Sequence, residues 1–119
     1  MRTSEKHLSS SLKKQIVKTF AQVFSDLNTQ SETEMFLNDF FTDSELETFS
    51  KRMAVAYWLK KGRSYTNIKQ NLKVSSATIA DISNLINSKG YSLGLKKIEA
   101  EEWANQWARK IKKFTGKFS

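Results

Sequence analysis

Apolar residues recur along this chain at spacings of three and four, and Val, Ile and Thr never alternate in strand-like runs. With no proline and four glycines, the pattern predicts an all-α fold of about six helices. A first helix is expected over 9–27, where Leu12, Ile16, Phe20, Val23 and Leu27 make one apolar stripe. Ser31 with Glu34, and Thr42 with Glu45, fit capping boxes that open a second helix near 32–41 and a third near 43–61. Met35, Phe36, Phe40 and Phe41 lie on the second, and Leu46, Phe49, Met53, Ala56, Tyr57 and Leu59 on the third. Gly62 is a natural stop. Ser64 is expected to cap a helix over 65–72, and Ser75 or Ser76 one over 77–88. Gly90 should break the chain again, before a last helix over 92–114.

The fourth and fifth helices form the most specific pattern. Ile68 and Leu72 fall one turn apart, Val74 sits between the helices, and Ile79 and Ile82 share a face of the second helix. Two short helices crossing steeply need those offsets to share a small core, which predicts a helix-turn-helix. The outer face of the second helix is then free to enter the major groove of double-stranded DNA. Ser75, Ser76, Ala77 and Ala80 are expected at base edges, with Thr78 near the backbone. Thr66 and Lys69 on the first motif helix can reach bases or phosphates. Lys60, Lys61, Arg63 and Lys73 flank the motif and suit phosphates, which set position and affinity. Asp81 would repel a phosphate; it either accepts from a cytosine amino group or points to solvent or a nearby lysine. Lys73 stands where many such turns carry glycine, and its left-handed conformation costs on the order of 1 kcal/mol.

Charge adds to this picture. The net charge is +8, divided as −3 over residues 1–48 and +11 over 49–119. Basic charge concentrated on the motif-bearing half suits phosphate neutralisation and steering, although a basic surface can also serve solubility alone. With no cysteine, disulfides and thiolate metal sites are excluded, and no metal ion is expected. His7 lies in a polar N-terminal stretch and reads as a solvated residue. No apolar run approaches the eighteen or so residues of a membrane span, and no signal peptide is legible at the start. The expected location is cytoplasmic, on the nucleoid. No Ser–His or Cys–His pair and no glycine-rich phosphate loop can be drawn, so no catalysis and no cofactor are expected.

Upstream of the motif, residues 40–65 read FFTDSELETFSKRMAVAYWLKKGRSY. This stretch resembles the third helix of the Trp repressor family, with Thr42 at the family's threonine and Arg52 at the arginine about ten residues on. Ala77-Thr78-Ile79 is similar to the family's reading helix, and Gly90-Tyr91-Ser92-Leu93 resembles the shorter YerC/YecD-type members. The resemblance covers residues 36–95, is weaker in the first helix and is absent from the end. It implies an all-α, intertwined homodimer whose two reading heads lie about one turn of DNA apart on a near-palindromic operator. It also implies a loss. In Trp repressor itself two arginines sandwich the corepressor's indole, and the one on the reading helix binds its carboxylate. Arg52 matches the first, but Asp81 stands at the second and Leu85 at a serine that helps hold the amino group. Tryptophan is therefore not expected to bind.

Three segments follow: an arm over 1–8, a helix-turn-helix domain over 9–95, and a basic amphipathic extension over 96–119. In the last, Trp103, Trp107, Ile111, Phe114 and Phe118 form a stripe, with Glu at the start and Lys/Arg at the end as the helix dipole favours. The stripe can pack on the body or a partner subunit, act as a membrane-surface or partner-binding helix, or extend the phosphate-binding surface with its lysines. The leading function is sequence-specific DNA binding by a dimeric transcriptional repressor. The alternative is a helical adaptor acting through that stripe.

Overall fold

The computed structural model describes residues 8–100, 106 and 109–112. Six helices follow in order: α1 (Ser10–Asp26), α2 (Gln30–Phe40), α3 (Asp43–Lys60), α4 (Tyr65–Leu72), α5 (Ser76–Leu85) and α6 (Lys89–Ala100). Gln106 and residues 109–112 are also helical, and no strand occurs among the described residues. The chain divides into two compact units, Met1–Leu46 and Glu47–Ser119.

In the first unit, Ser9 caps α1 by accepting from the Leu12 amide at 3.2 Å. The cap of α2 is Thr29, not Ser31: its hydroxyl accepts from the Glu32 amide at 3.0 Å, and Glu32 accepts from the Asn28 amide at 3.3 Å. Thr29 and Glu32 repeat the hydroxyl-to-carboxylate spacing of Ser31 and Glu34 two residues upstream. Starting there adds another backbone bond, Thr33 amide to Thr29 carbonyl, at 3.0 Å. The second expected box does form. The Thr42 amide donates to Glu45 at 2.9 Å, and the Glu45 amide donates to the Thr42 hydroxyl at 3.1 Å. The bonds from the Thr42 backbone and then its side chain hold the Glu45 carboxyl below its ordinary range. Phenylalanines join α1 to α2: Phe20 lies 5.1 Å from Phe40, and Phe24 lies 5.5 Å from Phe36, centroid to centroid. No residue of α1 or α2 is buried. The stripe of α1 is half-buried at Phe20 and Leu27 but exposed at Leu12, Ile16 and Val23.

The second unit holds the buried core: Val55, Ala56, Tyr57 and Trp58 of α3, Ile68 of α4, Ile79 and Ile82 of α5, and Leu95 of α6. Leu72 and Val74 pack against it, half-buried. The end of α3 is shaped by Gly62, at φ +82°. Its amide donates to the Leu59 carbonyl at 3.0 Å and the Arg63 amide to the Trp58 carbonyl at 3.1 Å, a Schellman arrangement. A side chain is strained at that φ, whereas glycine is not. Ser64 caps α4, accepting from the Asn67 amide at 3.1 Å.

Beyond α5 the expected boundaries shift. The helix ends at Leu85 rather than 88, the chain turns through Ile86–Ser88, and α6 starts at Lys89. Gly90 therefore lies inside the first turn of α6 and breaks nothing. Glycine keeps its backbone N–H and disfavours a helix only through chain entropy, on the order of 1 kcal/mol, which is too little to stop one by itself. The Ser88 carbonyl accepts from the Ser92 amide at 2.9 Å to open the helix. Gly94 brings α6 close to α3: a Cβ there would meet Met53 Sδ and Cε at 3.3 Å. Ile111 packs on the core. Trp103, Trp107, Phe114 and Phe118 lie outside the described residues, as do residues 1–7.

Ile68 is fully buried at the crossing of α4 with its neighbours. Ile68→Ala should cost about 2–5 kcal/mol, as large-to-small changes in packed cores do. Urea unfolding followed by circular dichroism checks this, and a cost of only a few tenths of a kcal/mol, as at an ordinary surface site, would show that the crossing is not packed around this residue.

Candidate nucleic-acid interface

The two motif helices are joined by a sharp corner. Lys73 ends α4 in the left-handed region, at φ 55° and ψ 51°, and its amide donates to the Lys69 carbonyl at 3.1 Å. Val74 turns its side chain toward the core and Ser75 becomes the cap of α5. The Ser75 hydroxyl accepts from the Thr78 amide at 3.1 Å and lies 2.9 Å from the Thr78 hydroxyl. Ile79 and Ile82 point inward, at 0% and 2% exposure, which fixes the rotation of α5 about its axis. At 3.6 residues per turn the opposite face carries Ala77, Asp81 and Asn84, with Ala80 beside them. The first three are exposed and Ala80 is half-buried. Ser75, Ser76, Ala77 and Thr78 form an exposed tip at the helix N-terminus, where amide groups and the helix dipole favour an anion.

The flanking cations are not equivalent. Lys69 and Lys73 are exposed, with no carboxylate in ion-pair range among the described residues. Thr66, on α4, is exposed too. Lys60 forms an ion pair with Glu99 of α6 at 3.0 Å. The hydrogen bond from Lys60 is the main cause that holds the Glu99 carboxyl below its ordinary range, with the Lys60 and Lys61 charges adding to it against some desolvation. Lys61 is exposed and lies 5.4 Å from the centre of the Tyr57 ring. Arg63 is half-buried, stacks 5.2 Å from the centre of the Trp58 ring and donates to the Asn67 side chain at 3.3 Å. It is therefore tied to the body more firmly than a freely reaching phosphate contact would be.

Sequence spacing carries no sign of the Lys60–Glu99 pair. The two residues meet only because α6 returns alongside α3. The Ser75–Thr78 hydroxyl pair, by contrast, follows from the cap itself. An open cleft of about 470 Å³ adjoins the interface, lined by Arg52, Thr78, Asp81, Ile82, Asn84, Leu85 and Tyr91. It gathers the three positions that the family resemblance singled out, Arg52, Asp81 and Leu85. Arg52 and Asp81 form no ion pair there.

No described helix is long and apolar enough to cross a membrane. The family described as Trp repressor protein matches residues 15–98, which takes in all of α2 to α5 and most of α1 and α6. An uncharacterized protein of Bacillus subtilis (strain 168), YerC, is 26% identical over 91 residues, covering 75% of this chain and 86% of the relative. No solved structure matches the chain. The match spans well over half of the sequence and contains the crossed α4–α5 pair with its outward tip: the chain belongs to the Trp repressor family.

Proposed function

We propose that this protein is a sequence-specific DNA-binding transcriptional regulator that acts as a homodimer and represses by occluding its operator. The observation that carries the reading is the exposed tip Ser75–Thr78 beside Lys69 and Lys73, which have no carboxylate in ion-pair range among the described residues. A rigid helix N-terminus with small side chains can approach base edges closely, while the lysines take the phosphates. Family membership supports the same reading. Its working location is then the nucleoid.

The homodimer is supported by the first unit. Leu12, Ile16, Val17, Met35 and Phe40 are all at least 44% exposed, on helices that bury no residue of their own. Several large apolar side chains left exposed on two helices of a short chain are what a face covered by another subunit would show. The absence of a tryptophan corepressor rests on Asp81. Its carboxylate lines the cleft beside Arg52, where a ligand carboxylate would be repelled.

Selection of bound duplexes from a random DNA pool tests the reading directly: a near-palindromic consensus is expected, and failure to enrich any sequence would refute it. Added tryptophan at millimolar concentration should leave the melting temperature unchanged, whereas a rise of several degrees would contradict the corepressor-free reading. The ion pair at Lys60 yields a third expectation. Glu99→Gln releases this ammonium toward phosphate, so DNA binding should tighten at low salt. The slope of log affinity against log salt should steepen by about one unit per reading head. An unchanged slope would remove Lys60 from the phosphate contacts.

A further inference from the structure

The outer face of α5 lacks the side chains that read purines through paired hydrogen bonds. Guanine is recognised by Arg or Lys and adenine by Asn or Gln, and none of these occurs between Ser76 and Ser83. Asn84 is a full two turns from the tip. The hydroxyls of Ser75 and Thr78 face each other at 2.9 Å and Ser75 also caps the helix, and a serine or threonine hydroxyl, that of Ser76 included, can pair with several bases, so none of the three specifies one. What remains at the centre of the exposed face, nearly opposite Ile79 and Ile82, is the methyl group of Ala77, with that of Ala80 beside it one turn on. Both are small enough for the helix backbone to come close to the groove floor. An alanine methyl in the major groove has one distinctive partner, the 5-methyl group of thymine.

We infer that α5 reads thymine through its 5-methyl group, with Ala77 as the principal contact and Ala80 as the second. The inference rests on the DNA-binding reading above and adds to it the chemical feature being read. Asp81, one turn beyond Ala77 on the same face, is exposed, and its carboxylate disfavours guanine, whose major-groove edge presents only N7 and O6, while it can accept from the amino group of cytosine or adenine. Because thymine O4 is an acceptor too, Asp81 adds discrimination at a neighbouring base, and the preference for thymine rests on Ala77 and Ala80 alone.

The test compares duplexes enriched by selection with the same duplexes carrying uracil in place of every thymine. Uracil pairs identically and lacks only the methyl group. The full chain should bind the uracil duplexes more weakly, by about three- to fivefold for each buried methyl removed. Ala77→Gly should reduce that difference. Ala77→Ser, which keeps a side chain at the helix start, should do the same with helical circular dichroism unchanged. Equal affinity for thymine and uracil duplexes would overturn the inference while leaving DNA binding intact. So would a difference that persists undiminished in both variants, because it would then come from the DNA and not from Ala77. If no duplex is bound under any condition, the DNA-binding reading falls and the inference falls with it.

Discussion

The orientation of α4 and α5 depends on the burial of three isoleucines. Ile68 of α4 and Ile79 and Ile82 of α5 are removed from water together, against Val55, Ala56, Tyr57 and Trp58 of α3. Burial of each side chain contributes on the order of 2 kcal/mol, more than any single polar contact at the exposed tip. This apolar contact sets both the crossing of α4 with α5 and the rotation of α5 about its own axis. Once Ile79 and Ile82 face inward, Ala77 and Asp81 must face outward, because the two sets lie on opposite sides of the same cylinder. The exposed face of α5 is a geometric consequence of the core. It does not require interactions of its own.

The turn between the helices shows what such a core tolerates. Lys73 takes a left-handed backbone that glycine would adopt without strain, and the chain accepts that cost at a position where a lysine is exposed. At Gly62, where α3 ends, the same backbone region is occupied by glycine instead. The physical difference lies in where charge is useful. Position 73 flanks the N-terminus of α5, where an ammonium group adds to the attraction for phosphate. A strain on the order of 1 kcal/mol is comparable to what one phosphate contact returns at moderate salt.

The positive charge of the second half of the sequence overstates what is available at the interface. Lys60 and Arg63 stand in the same basic run as Lys61, but the tertiary structure engages both: one with Glu99, the other with Trp58 and Asn67. Lys69 and Lys73 keep their charge unpaired among the described residues. An exposed ion pair such as Lys60–Glu99 contributes little to stability. Its effect is on the field around the motif, since a carboxylate 3.0 Å away cancels most of an ammonium's long-range attraction.

Local chemistry was legible because it is local. The caps at Thr42 and Ser64, a cap at Ser75 or Ser76, the stop at Gly62 and the left-handed Lys73 each follow from a residue type and its neighbours within four positions, and the structure chooses Ser75. The period of the apolar residues likewise placed Ile68, Leu72, Val74, Ile79 and Ile82 at the motif core, and composition placed the basic excess beside it. Where two local solutions competed, as at Thr29 against Ser31, sequence alone chose less well, because two capping boxes two residues apart differ by about a hydrogen bond. Only the tertiary structure decided which lysine meets Glu99, that Arg52, Asp81 and Leu85 line one cleft, and that the stripe of α1 is largely open to solvent. Those facts join residues tens of positions apart, or depend on what covers a surface, and no spacing along a chain encodes either.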